Sequence, residues 1–88
     1  MTIKEIILDC LADGPEDEDQ VKLMLEKWGI FLSYEEIRNI FSELTVEQLI
    51  YVNSVSVSSI HFTPNVNWYL MTEKGRKFWE ENIYEEEE

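Results

Sequence analysis

The sequence predicts an α+β domain in which a three-helix bundle is followed by a two-stranded antiparallel hairpin and a C-terminal helix. Three observations carry this. Apolar residues recur at helical spacing in three successive stretches up to Leu44. From Leu49 the period drops to two and β-branched residues take over. After Met71 a threonine opens a last stretch with an apolar edge at helical spacing.

The first helix is expected from about Thr2 to Ala12, with Thr2 as N-cap and Gly14 and Pro15 ending it. Its buried face should carry Ile3, Ile6, Ile7, Cys10 and Leu11. In the second helix Val21, Met24, Leu25 and Trp28 repeat at i, i+3, i+4 and i+7, which places Trp28 in the core, and Gly29 closes the helix. Pro15 sits where a first-turn proline is tolerated, so the carboxylates of Glu16, Asp17, Glu18 and Asp19 would lie near the partly positive amino end. The third helix has the sharpest start, because Ser33 and Glu36 have capping-box spacing. It should run from Tyr34 to about Glu47 with Ile37, Ile40, Phe41 and Leu44 inward.

In the strand region LIYVNSVSV, Val55 and Val57 alternate with Ser54, Ser56 and Ser58, as in a strand with one face on a core. The segment SSIHFTPNVN reads as the hairpin loop, with room for a short strand at Ile60 to Phe62, and the return strand is expected at Asn67 to Met71. Thr72 caps the final helix, which carries Phe78, Trp79 and Asn82, with Ile83 extending its apolar edge. Gly75 inside that helix costs about 1 kcal/mol relative to alanine, which predicts close approach of its backbone to another element. Glu85 to Glu88 oppose the partly negative helix end and repel one another, so residues 1–84 form the expected domain and 85–88 an acidic tail that frays.

A chain of 88 residues makes one domain, and such domains bury only about 60–65% of the surface that the unfolded chain exposes. With 44% hydrophobic residues, including three Trp, four Tyr and four Phe, it can build a core without metals or disulfides. The single cysteine, Cys10, has no internal partner, and no apolar run is long enough to cross a membrane, so a cytoplasmic protein without membrane partners is expected. Nineteen acids face seven bases, a net charge of −12 that repels phosphate backbones and anionic lipids. Two runs, Glu16 to Asp19 and Glu85 to Glu88, hold eight of those acids, leaving eleven against the seven bases elsewhere. The body is therefore moderately acidic.

Three helices, a hairpin and a closing helix, in that order, are the organisation of winged helix-turn-helix domains. The stretch EEIRNIFSELTVEQLIYV resembles their third helix running into the first wing strand, with Gln48 in the place of a glycine. The stretch WYLMTEKGRKFWEE resembles the second wing strand and following helix of bacterial MarR- and PadR-like regulators, in which an aromatic precedes Leu-Thr, two residues and Gly-Arg. Here those positions hold Tyr69, Leu70, Thr72, Gly75 and Arg76, with Met71 inserted between the leucine and the threonine. The resemblance covers almost the whole chain and implies a winged helix. It would place the exposed side of the third helix in a DNA major groove, with basic residues there and on the wing holding phosphates.

The residues depart from that expectation. At about 100° per residue, Glu35, Arg38, Asn39, Ser42 and Val46 turn outward, flanked by Glu36 and Glu43, and of these only Arg38 attracts phosphate. The wing from Asn53 to Asn67 holds no Lys or Arg, and its one ionisable group, His61, is mostly neutral at pH 7 at a reference pKa of about 6.5. DNA binding is thus disfavoured by charge. Catalysis is not expected either, since Cys10 and His61 lie far apart and no phosphate loop or zinc spacing occurs. No cofactor is expected. The run DGPEDED lacks the ligand alternation of a calcium loop. The aromatic end is richer than a hairpin and a short helix readily cover, so Trp68, Tyr69, Trp79, Ile83 and Tyr84 are the candidate surface for a protein partner or homodimer through the last helix. The first functional reading is a non-enzymatic protein-interaction module. The alternative is a transcriptional regulator reading DNA through Glu35, Arg38, Asn39 and Ser42, and the third is a DNA mimic that inhibits a nucleic-acid-binding protein.

Overall fold

Side-chain caps set the helix starts. In the computed structural model, which describes residues 2–55 and 66–83, α1 spans Ile3–Ala12, α2 Glu18–Lys27, α3 Tyr34–Val46 and α4 Glu73–Asn82. Strands β1 (Ile50–Val55) and β2 (Val66–Met71) lie between α3 and α4. The respective N-caps are Thr2, Asp17, Ser33 and Thr72, each accepting a bond from a backbone amide of the first turn. At Thr2 and Ser33 the reciprocal glutamate bond completes a capping box with Glu5 and Glu36. This is the winged-helix architecture, with the helices on one side and the β1–β2 hairpin as the wing.

The hairpin pairs in antiparallel register, Ile50 with Met71, Val52 with Tyr69 and Asn53 with Trp68. Glu16 adds a short rung on the other edge of β2: its amide donates to the Tyr69 carbonyl at 3.2 Å and its carbonyl accepts from the Tyr69 amide at 2.9 Å. The core lies between α1, the inner faces of α2 and α3, and the base of the hairpin, and includes Ile7, Leu11, Leu25, Ile37, Phe41, Leu44 and Ile50. Leu8, outside the expected α1 stripe, is also fully buried. Ile3 of that stripe is exposed in the first turn, and Cys10 is half-buried against the core rather than inside it.

Two Schellman turns explain where the helices stop. After α2 the Gly29 amide donates to the Glu26 carbonyl at 3.0 Å and the Ile30 amide to the Leu25 carbonyl at 2.9 Å, with Gly29 at φ 78°. The turn folds Ile30 back toward the core and leaves Trp28 as the cap, 54% exposed. The expectation of a buried Trp28 is thereby corrected: the four-residue stripe continues in sequence past the point where the helix ends. The start of α2 also differs. Asp17 is the N-cap and the helix begins at Glu18, so Pro15 and Glu16 precede it, and Glu16 is drawn out to pair with β2.

After α3 the same turn recurs, with the Gln48 amide on the Thr45 carbonyl and the Leu49 amide on the Leu44 carbonyl, both at 3.0 Å. Gln48 adopts φ 64° where the resemblance places glycine. The turn is fastened to the start of α4: the Thr72 amide donates to the Leu49 carbonyl at 3.0 Å, its hydroxyl to the Gln48 carbonyl at 2.6 Å, and Lys74 Nζ to the Glu47 carbonyl at 3.1 Å. A Cβ on Gly75 would meet the Leu49 oxygen at 1.9 Å, which is the close approach that the sequence predicts. Val57 and the serines beside it, the loop with His61, and the tail lie outside the described residues.

Two expectations follow for stability. Gly75→Ala should lower the urea midpoint at unchanged m, because a backbone clash of the overpacking kind costs about 1–3 kcal/mol and exceeds the roughly 1 kcal/mol gain in helix propensity. Gln48→Gly should raise the midpoint, by a stability gain of up to about 1 kcal/mol, because it relieves a left-handed residue. Burial, with Asp9, Glu16 and Asp13 adding charge, pushes the Cys10 thiol up from 9.0 to about 11. At pH 8 the native thiol should therefore alkylate roughly a hundredfold more slowly than in urea. The unfolded chain releases the Cys10 proton first, so this group lowers stability as pH rises from 9.0 toward 11.

Candidate nucleic-acid interface

The helical period that turns Ile37, Phe41 and Leu44 inward leaves Glu35, Arg38, Asn39, Ser42 and Val46 exposed along the outer side of α3. Beside it the inner face of the hairpin contributes Val52 and Asn67, both exposed. Between helix and hairpin runs an open cleft of about 570 Å³ lined by Glu18, Arg38, Ser42, Val46, Val52 and Asn67, with Phe41 and Tyr69 also reaching it. The two rings stack with centroids 3.9 Å apart and planes inclined by 16°, so the hairpin is held against α3 by a pair that also carries packing energy.

Arg38 is the one Lys or Arg in α3, β1 and β2. Its Nε donates to both carboxylate oxygens of Glu18, at 3.1 and 3.0 Å. Its guanidinium carbon lies 5.7 Å from the centroid of the Tyr34 ring. The bond to Glu18, more than its bare charge, holds Arg38 still more firmly protonated than usual. Glu18 is fixed from a second side, since the Tyr69 hydroxyl donates to its Oε1 at 3.3 Å. Burial first, and then the Glu18 charge, push the Tyr69 phenol up from its ordinary value. The Tyr34 hydroxyl donates to Asp19, and that bond raises its pKa as well.

Each acid of the Glu16–Asp19 run therefore has its own local task. Glu16 pairs its backbone with β2, Asp17 caps α2, Glu18 holds Arg38 and Asp19 accepts from Tyr34. Burial, with Asp17 and Asp13 beside it, raises the Glu16 carboxyl. Bases outside this surface have tasks too. Lys4 pairs with Glu47 at 2.6 Å and Glu43 at 3.3 Å, while Lys22 donates to the Leu32 carbonyl at 2.5 Å. Among the described residues no group of three or more His, Cys, Asp or Glu is placed to hold a metal ion, and no helix is long and apolar enough to cross a membrane.

Two residues drop out of the aromatic partner surface expected from the sequence. Tyr69 is 9% exposed and Ile83 fully buried, because the core needs both to close the hairpin and the end of α4 over α1. Trp68, next to Tyr69 in β2, points to the opposite sheet face beside Pro15, Asn53 and Leu70. Trp79 is half-buried and donates its indole N–H to Asp9 at 2.9 Å. Tyr84 lies outside the described residues. Glu18, Val52 and Asn67 were not legible as site residues, since they reach α3 only through the tertiary fold and no local spacing marks them.

No protein-family model matches the chain, and no curated protein sequence does. Solved structures do. A PadR family transcription regulator from Clostridium difficile superposes with TM-score 0.81 at 17% identity, over 94% of this chain and 84% of that one. A PadR-like transcriptional regulator from Bacillus cereus gives 0.75 at 24% identity, over 90% and 75%. PadR of Bacillus subtilis, solved in complex with operator DNA, gives 0.74 at 16% identity, over 90% of this chain and 45% of that one. The chain is thus similar to PadR-like regulators in fold, as its sequence resemblance implies.

Tyr69 provides a test of the packing beneath the cleft. Tyr69→Phe should cost at most about 1.5–3 kcal/mol by removing one hydrogen bond to a carboxylate while keeping the stack. Tyr69→Ala should cost about 3–5 kcal/mol. Urea denaturation of the two variants reads the difference.

Proposed function

We propose that this chain is a DNA-binding transcriptional regulator that reads base edges through the exposed side of α3. The observation that carries this reading is the arrangement of Arg38, Asn39 and Ser42 on one uncovered helix face beside a wing, on a fold similar to that of PadR bound to operator DNA. Arginine pairs with guanine, asparagine with adenine, and serine with either. Val46, 82% exposed on the same face, suits contact with a thymine methyl group. This reading is preferred over a protein-interaction module because burial of Tyr69 and Ile83 removes two residues of the surface such a module would use.

The charge still shapes the mechanism. Phosphate contacts normally supply nonspecific affinity through counterion release. With a single cation in α3 and the two strands, and that one paired to Glu18, little such attraction is available on this face. Binding rests on base contacts, and its salt dependence is shallow. A homodimer through α4, where Phe78 and Trp79 are only partly buried, would present two copies of α3 to successive turns of DNA.

The test is selection of bound sites from a randomised duplex pool, followed by anisotropy titrations across a salt series. Wild type should enrich a motif with half-sites about 10 bp apart. Arg38→Ala should weaken binding to that motif roughly tenfold to a hundredfold. Failure to enrich any motif, or an Arg38→Ala variant that binds like wild type, would overturn the reading.

A further inference from the structure

We infer that Glu18 is a positioning residue that aims Arg38 end-on at a guanine, making this position of α3 a guanine-selective subsite. The inference rests on the DNA-reading function proposed above. A guanidinium carries donors on Nε and on both Nη atoms, in a fixed plane. Here Nε is taken by Glu18, whose two oxygens lie at 3.1 and 3.0 Å, while no Nη atom bonds a side chain or backbone atom among the described residues. The donors left over are the end-on pair, which matches the O6 and N7 acceptors of guanine in the major groove.

Three features make the aim firm. The Glu18 side chain is only 20% exposed, against 60% for Arg38, so the carboxylate is the anchored partner and the guanidinium the presented one. Glu18 accepts from Tyr69, itself 9% exposed and stacked on Phe41, so the support continues into the core. The Tyr34 ring lies against the guanidinium, at 5.7 Å from centroid to Cζ, which limits the rotamers left to it.

The same pairing weakens Arg38 as a phosphate anchor. A guanidinium already facing a carboxylate has less net charge to offer a diffuse anionic backbone, but its directional donors are unchanged. An orienting carboxylate thus exchanges nonspecific attraction for selectivity between bases. That exchange suits a helix whose neighbours Glu35, Glu36 and Glu43 are acidic.

The experiment compares wild type, Glu18→Gln, Arg38→Lys and Arg38→Ala by selection from the randomised pool and by anisotropy on the site recovered with wild type. Circular dichroism first establishes that each variant is folded. Wild type should prefer guanine at one position per half-site, and 7-deazaguanine there should weaken it roughly tenfold by removing N7. Glu18→Gln should lose most of that discrimination while its affinity for the unselected pool stays equal or rises. A role in stability alone would not produce this split. Arg38→Lys, which keeps the charge but lacks the fork, should lose the guanine preference too. A Glu18→Gln variant with wild-type discrimination, or a guanine preference that survives Arg38→Ala, would overturn the inference and leave the DNA reading intact. Recovery of no site with wild type would overturn both.

Discussion

Tyr69 stands where four elements meet, and its geometry fixes the rest of the surface. Its backbone is paired on both edges, to Val52 of β1 and to Glu16 in the segment before α2. Its ring stacks on Phe41 of α3, and its hydroxyl reaches Glu18 at the start of α2. An aromatic of this size buries a large apolar area and still needs a partner for its polar end. Satisfying both demands at once brings the wing, the outer helix face and the acidic run into one constellation. The hydrophobic effect supplies the close packing of the rings, and the polar end of Tyr69 then decides where the Glu18 carboxylate stands.

Net charge is a poor guide to such a surface. The overall excess of acids over bases repels DNA at long range, yet Glu18, Asp19, Glu36 and Glu43, on or beside α3, are engaged in capping and in pairing within the domain. Long-range repulsion governs encounter rates and salt dependence, whereas discrimination between base pairs depends on directional donors and acceptors a few ångströms away. The two can have opposite signs on one protein.

Local signals made the architecture legible. The Thr2 cap, the capping box at Ser33, the period change near Leu49 and the Thr72 cap each depend on residues close together in sequence, and each is found where the spacing puts it. Gly75 was legible for the same reason, as a residue too costly to stand in a helix without cause. The failures come where tertiary structure overrides spacing. Trp28 fits a helical stripe that the Schellman turn at Gly29 cuts short, and Glu16 fits a helix start that β2 pulls out of line. Tyr69 and Ile83 look like surplus aromatic and aliphatic surface until the core they close is seen whole. The outward face of α3 could be drawn from the helical period alone, but the pairing of Arg38 with Glu18, twenty residues earlier, could not.

The joint between Leu49 and Gly75 has a mechanical consequence. The two backbones approach so closely that a methyl group does not fit between them, and three hydrogen bonds from Thr72 and Lys74 fasten the end of α3 to the beginning of α4. Helix and helix are therefore joined at an elbow at residue 49. A change in the tilt of either helix would have to break these bonds or be passed on to the other.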